Sequence, residues 1–292
     1  MLQCHYEIHV CKNDTFSVDK PHFHEDIELT LCVAGSGEFY LGPEVYPLQR
    51  GQLFLIDRSV LHRSSASEDY RCIAFHIFPE TLAQFSTPHT DFLGVLPNCS
   101  HATVITEEQT CELESYYQRL SAYCSDDFGD DMRQTLVVME FLLTCFSHLL
   151  HVTPNVGISN PALNKVSPIL KYIQEHLDEP LTIGDIAKTF YMSKYYLCHI
   201  FKEGTGFSVM DYVINCRILR ARALLRQGVR VAESGERAGF RSNEHFIRTF
   251  KKLTGMTPKH YSMMYRKADQ NMKQDVVSVE SINGSLVQST RV

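Results

Sequence analysis

The sequence predicts a chain of two unlike parts. An antiparallel β-sandwich or small barrel with a helical hairpin comes first, followed by an all-α domain in which a long helix joins two helix-turn-helix motifs. Three observations predict this. Charge is split: residues 1–159 hold 8 Lys and Arg against 22 Asp and Glu, whereas residues 160–267 hold 18 against 9, so the net charge of −6 conceals a basic domain beside an acidic one. Apolar and polar residues alternate in short runs through the first hundred positions, the mark of half-buried strands. A segment of the carboxy-terminal half recurs 49 positions on, so one structural unit is used twice. At 292 residues, 44% hydrophobic and 21% charged, the chain can build two cores, and wholesale disorder is excluded.

Taken in order, alternating runs at 27–33, 37–41, 52–56 and 71–78 are separated by Gly, Pro and Asp and predict antiparallel strands. His22, His24, Glu28 and His62 lie among them. Such a set suits a divalent transition metal with open coordination positions, and it equally suits hydrogen bonding to a polar ligand inside a barrel. The spacing from His22 through Glu28 to Gly35, with Gly51 and His62 beyond, resembles the two cupin motifs, except that Asp57 and Ser59 replace the usual Pro and Gly of the second. The cupin resemblance also allows such histidines to be kept without a catalytic metal. The expectation is therefore an effector pocket lined by His22, His24, Glu28, Phe39, Tyr40, Asp57 and His62, with no cofactor and no resident metal. The fallback metal site is His22, His24, Glu28 and His62.

Two helices follow. Residues 106–123 are amphipathic, with Leu113, Tyr117 and Leu120 at helical spacing. Residues 131–151 are apolar around most of their circumference, through Leu136, Val137, Met139, Leu142, Leu143, Phe146, Leu149 and Leu150. Such a helix needs a cover, either the barrel or a second subunit. Its greasiest part, 136–150, contains Glu140 and His148 and falls short of the ~20 residues of a membrane span. Residues 152–161, rich in Pro, Asn and Gly, read as a linker. No signal peptide is visible, and ten cysteines without a C-x-x-C pair predict reduced thiols in the cytoplasm.

In the basic half, Thr182 and Asp185 predict a capped short helix with Ile183, Ile186 and Ala187 inward. A turn at Tyr191 and Met192 ends it, Ser193 caps a second helix, and Gly204 and Gly206 close that one. Leu197, Ile200 and Phe201 face its core, leaving Tyr195, Cys198, His199 and Lys202 on the opposite side. In the second copy Ser242 is the cap, Phe246 and Phe250 face inward, and Glu244, Ile247, Arg248 and Lys251 share the outer stripe with Asn243 at its start. Residues 208–227 read as one helix holding the two heads at a fixed spacing.

The run from Leu181 to Ala187, the segment Phe201–Gly206, Gly239-Phe240, the segment Phe250–Pro258 and Tyr261 together resemble the AraC/XylS family of bacterial transcription regulators over about 100 residues. The resemblance implies that both second helices enter successive major grooves of double-stranded DNA. It implies base contacts from Tyr195, Cys198 and His199 in the first head and from Asn243, Glu244 and Arg248 in the second. Phosphate contacts are expected from Lys194, Lys202, Arg241 and Lys251. It further implies a homodimer through the helical hairpin, a small-molecule effector (often a sugar in the family), and activation, with RNA polymerase a candidate partner. One departure stands out: the family has Ile-Ala where this chain has Ser234-Gly235. Lost burial and glycine in a helix predict that the second head's support helix frays without DNA.

The expected layout is a cupin-like domain over 1–100, a helical dimerisation segment over 101–152, a linker over 153–163, a double helix-turn-helix domain over 164–267 and a disordered tail over 268–292. The expectation is a cytoplasmic, effector-controlled DNA-binding regulator that neither catalyses a reaction nor enters a membrane. A metal-dependent cupin enzyme with an accessory DNA-binding domain is the alternative, and a ligand-independent architectural DNA binder is a third reading. Against the enzyme stand the Asp57 and Ser59 departures and the lack of a second catalytic constellation.

Overall fold

Strand parity sorts the amino-terminal side chains into two cores. The computed structural model describes residues 6–12, 20–99, 101–123, 127–151, 155–268 and 290–291. The strands are β1 (Tyr6–Lys12), β2 (Ile27–Ala34), β3 (Gly37–Leu41), β4 (Glu44–Leu48), β5 (Gln52–Ile56), β6 (His62–Ala66), β7 (Arg71–Ile77), β8 (Ala102–Val104), β9 (Ile158–Ser159) and β10 (Thr290–Arg291). They form two antiparallel sheets, in the orders β10-β1-β7-β2-β5-β8 and β6-β3-β4-β9. Along β2, Ile27, Leu29 and Leu31 join a core with the helices, while Cys32 joins Phe39, Leu41, Tyr46, Leu48, Phe54 and Ile56 between the sheets. Residues of both parities are therefore buried in β2 and β5: β5 is apolar from Leu53 to Ile56, while in β2 the polar Glu28 and Thr30 are buried between the apolar residues. Burying each large side chain is worth about 1.5–3 kcal/mol.

The four strands read from alternation are β2, β3, β5 and β7, with bounds within one residue. β4, β6 and β8 escaped because Pro47, the polar run of β6 and the brevity of β8 mask their alternation. β8 also carries the first sheet past the expected boundary at residue 100.

Helices α1 (Pro79–Phe85), α2 (Phe92–Val95), α3 (Glu107–Ala122) and α4 (Asp130–His151) cover the outer face of the larger sheet. Thr106 and Gln109 form a reciprocal capping box that starts α3. α4 runs for 22 residues, longer than the apolar stretch read from the sequence. Its Phe141 ring sits 4.8 Å from Phe75, and Val138, Leu142 and Cys145 are fully buried. Met132, Leu136, Leu143 and Leu150 nevertheless remain exposed on its other side. The sheet therefore covers half of the helix and leaves an apolar stripe bare.

The chain divides into two compact units at Ile158/Ser159. Asn160 caps α5 (Pro161–Glu175), so the expected linker over 153–163 ends too late; residues 152–154 lie outside the described residues. The second unit continues through α6 (Ile183–Thr189), α7 (Lys194–Thr205), α8 (Val209–Arg226), α9 (Val231–Arg237), α10 (Asn243–Thr254) and α11 (Pro258–Ala268). Of the expected disordered tail, 269–289 and 292 lie outside the described residues, while Thr290–Arg291 pairs with β1.

The repeat is reproduced in detail. α7 and α10 start and stop 49 residues apart, are capped by Ser193 and Ser242, and end on the left-handed glycines Gly206 and Gly255. Thr205 and Thr254 bond back to the Phe201 and Phe250 carbonyls at 2.7 and 2.8 Å. Gly204 does not close α7 as expected. It lies within the helix, where a Cβ would stand 2.8 Å from the Ala162 carbonyl oxygen of α5, so close helix packing demands glycine.

The expected fraying of the second support helix is not what the fold displays. α9 is a formed helix in which Ser234 is fully buried and donates to the Val229 carbonyl at 3.4 Å. A Cβ on Gly235 would come within 2.6 Å of the Phe246 ring. Phe246 occupies the place of Leu197, and Gly235 that of Ala187. The departure from Ile-Ala is thus a size exchange: the larger ring on α10 takes the room that a smaller residue on α9 vacates.

Candidate functional site

Each head presents its second helix with one face in the core and one in solvent. Leu197 and Phe201 anchor α7, and Phe246 and Phe250 anchor α10, all fully buried. The helical period then drives the opposite positions outward. Tyr195 is 83% exposed, and Cys198, His199 and Lys202 are exposed beside it. On α10, Asn243, Glu244, Arg248 and Lys251 are exposed. All ten residues expected to meet DNA lie on exposed surface, Lys194 and Arg241 included. The exposed Tyr195 and His199 rings lie almost parallel, with their centroids 6.4 Å apart. A cleft of about 610 Å³ beside them is lined by Lys194, Tyr195, Cys198, Thr182 and Gly184 among others.

The two turns differ by one residue. Met192 N–H donates to Ala187 at 2.8 Å and Phe240 N–H to Gly235 at 2.9 Å, but Arg241 is an extra residue before the second cap. Tyr191 occupies the left-handed turn position of the first head, where the second has Gly239. Sequence reasoning placed Tyr191 only in the turn, yet it stands almost wholly in solvent at the lip of α7. Much of the remaining positive charge is structural. Arg217 donates to the Leu177 and Glu179 carbonyls, Arg222 and Arg226 reach the Tyr261 hydroxyl, and Arg220 pairs with Asp178. Lys202 donates to the carbonyl of Gly206, so its ammonium serves as a helix cap.

In the first unit, β2 and the loop before it bring His22, His24 and Glu28 to β6, where His22 and His62 exchange backbone hydrogen bonds of 3.0 and 2.9 Å. His24 Nε2 lies 2.8 Å from Glu28 Oε2, and His62 Nε2 lies 3.3 Å from the same oxygen. Thr30 donates to the other carboxylate oxygen. The structure adds two residues that the sequence did not indicate. His76 on β7 stands opposite Glu28 in register, with its Nε2 3.8 Å from Oε2, and its Nδ1 is 3.8 Å from Asp26. Finding His76 required the β2–β7 register, which alternation alone does not supply.

Phe39 stacks on Phe54 at 4.2 Å and lies 6.2 Å from the His62 ring, at the wall of the cluster. Tyr40 and Asp57 do not join it. Strand pleating turns Tyr40 to the opposite face from Phe39, under the Arg63 guanidinium 3.5 Å away. The Asp57 carboxylate accepts from the Arg58 amide at 2.7 Å and faces solvent.

Burial would raise the Glu28 pKa, but the neighbouring His76 and the hydrogen bonds from His24 and His62 outweigh it and hold the carboxyl well below its ordinary range. Burial would lower that of His24, yet its hydrogen bond and charge contact with Glu28 hold it above the ordinary value. His22 is depressed to about 3, by desolvation first and then by neighbouring His62.

A family model described as an AraC-like ligand binding domain matches residues 8–97, and one described as a helix-turn-helix domain matches residues 186–264. The chain is 25% identical over 264 residues to the melibiose operon regulatory protein of Escherichia coli K12, covering 87% of this chain and 85% of that one. It is 19% identical over 279 residues to the transcriptional activator RhaR of Mannheimia succiniciproducens, covering 90% and 97%. Among solved structures, ToxT from Vibrio cholerae aligns over 89% of this chain and 98% of its own at 14% identity, with a TM-score of 0.38. With a sensor domain of one description and a duplicated helix-turn-helix of the other in the same order, the chain belongs to the AraC/XylS family of DNA-binding transcription regulators.

Proposed function

We propose that this regulator grips neighbouring turns of a duplex through α7 and α10 and is controlled by an effector bound at the histidine cluster of its amino-terminal domain. The observation that carries the reading is the pair of equivalent helices, each pinned by buried aromatics or leucine and each exposing side chains able to read bases. Arg248 suits guanine, Asn243 adenine and Glu244 the amino group of cytosine. The exposed ring of Tyr195 offers apolar contact to a thymine methyl, with Cys198 and His199 beside it on the same face. Lys194, Arg241 and Lys251 position the heads on phosphates, and Lys202 does so only by leaving its cap on Gly206.

The bare stripe of α4 supports a homodimer. Met132, Leu136, Leu143 and Leu150 recur at intervals of four and seven, the seam of a two-helix coil. A dimer would place two double heads on one operator, and the effector would shift which half-sites they reach together. RhaR is described as an activator, which supports activation here and makes RNA polymerase a candidate partner. The relative named for the melibiose operon supports genes of sugar use as targets and a sugar among the effectors to be tried. Family membership supports a cytoplasmic location.

Selection of bound duplexes from a random pool, with and without metabolite extract, tests the function. Bipartite sites with half-site centres about 10–10.5 bp apart support it. Binding of equal strength to every sequence, unaffected by extract, contradicts it.

A further inference from the structure

Tyr191 carries a strain that nothing in its own fold rewards. Its φ of 54° lies in the left-handed region, where a bulky side chain is a rare and costly occupant. The turn that demands this backbone is built without the side chain. Tyr191 N–H donates to the Lys188 carbonyl at 3.2 Å, and Met192 N–H to that of Ala187 at 2.8 Å. In the second head Gly239 and Phe240 repeat both bonds, to Glu236 and Gly235, at 2.8 and 2.9 Å. Glycine thus makes the same turn, at a φ of 95° and with no Cβ to strain it. Tyr191 is moreover 98% exposed, and among the described residues its ring and hydroxyl meet no partner. A strained residue that packs on nothing has its use outside the fold.

We propose that Tyr191 is a positioning residue of the first head, its phenol donating a hydrogen bond to a DNA phosphate oxygen at the wall of the groove that α7 enters, a step that rests on the two-headed reading above. The amino-terminal end of a recognition helix is the end that meets base edges. Tyr191 stands two residues before the Ser193 cap, so it falls beside the groove wall rather than on its floor. Tyrosine hydroxyls are among the donors that hold a protein in register on the sugar-phosphate backbone without reading sequence. The second head supports the role by its difference. Its turn has glycine at this position but one residue more, the exposed Arg241, before the Ser242 cap. Each head therefore carries one long exposed donor ahead of its recognition helix, an uncharged phenol in the first and a guanidinium in the second.

The test takes two readings on the full chain: affinity for a duplex selected by the unaltered protein, and hydrogen exchange of residues 186–192 without DNA. Tyr191→Gly should relieve the strain and slow exchange of the turn about fivefold, yet weaken binding about tenfold. A variant that folds better and binds worse is not explained by a structural role. Tyr191→Phe keeps the strained backbone and the ring, so its exchange should be unchanged while its binding still falls. Both variants should keep the base preference and the salt dependence of the unaltered chain, because an uncharged phosphate contact specifies no base and releases no counterion. Undiminished binding by Tyr191→Phe overturns the proposal, whether or not transcription is lost, and so does a shift in base preference. Faster exchange in Tyr191→Gly removes the strain on which it stands. Should the unaltered chain select no duplex, the two-headed reading fails and takes the proposal with it; selection by the unaltered chain with undiminished binding by Tyr191→Phe refutes the proposal alone.

Discussion

Replacing Gly235 by alanine tests the size exchange between the two heads. An alanine Cβ there would meet Phe246 Cδ1 at 2.6 Å and Cγ at 2.8 Å, closer than real Cβ contacts come. Overpacking of this kind costs about 1–3 kcal/mol, whereas alanine in a helix gains about 1 kcal/mol over glycine. The balance is a net loss of about 1 kcal/mol, and amides of residues 231–238 should exchange hydrogen about fivefold faster. Phe246→Leu alone should also destabilise, by about 1–3 kcal/mol, because it opens a void. The double variant recreates the Ala187 and Leu197 pair of the first head and should cost about 0.5–3 kcal/mol less than the two single changes together. Hydrogen exchange on the full chain, read by mass spectrometry for these segments, gives all four corners of the cycle. If Gly235→Ala slows exchange, as an unconstrained helical glycine would, and the two changes simply add, the reasoning is refuted.

Other perturbations act elsewhere. His22 falls from an unfolded pKa of 6.5 to about 3 in the fold, so below about pH 6.5 only the unfolded chain takes up its proton and stability declines. That decline amounts to about 2 kcal/mol by pH 5. His22→Gln should remove it, and an unchanged difference between denaturation at pH 7 and pH 5 would count against the assignment. The raised pKa of His24 has the opposite sign: its contribution is present below 6.5 and is lost as pH rises through the folded value. Leu143→Glu puts a charge in the middle of the bare stripe of α4 and should convert a dimer to a monomer in sedimentation; a species of unchanged mass would contradict the seam. Lys251→Ala should weaken binding to all sites alike and reduce the dependence on salt by about one ion, whereas a change in sequence preference would mark Lys251 as a base reader.

The carboxy-terminal unit was legible because its information is local. Serine caps, left-handed glycines and buried phenylalanines recur at a fixed offset, so each exposed face follows from the helical period. Gly204 and Gly235 were misread because a glycine's reason lies in what approaches it, α5 in one case and Phe246 in the other. In the amino-terminal unit, alternation located β2, β3, β5 and β7 but not their neighbours. The cluster was accordingly read in part. His22, His24, Glu28 and His62 lie along the chain at recognisable spacing, while His76 enters only through its register with Glu28. Tyr40 was drawn in by its nearness in sequence to Phe39, although adjacent strand residues face opposite sides. Apolar content likewise showed that α4 needs a cover without showing that the sheet takes only one side.

The most direct measurement of the two-headed grip repeats the selection from random duplexes with Arg248→Ala and with Tyr195→Ala. Loss of Arg248 should cost about 1–3 kcal/mol and relax one base position in one half-site, while loss of Tyr195 should relax the other half-site about one helical turn away. Two variants that select the original sequence with undiminished preference at both half-sites would contradict the account.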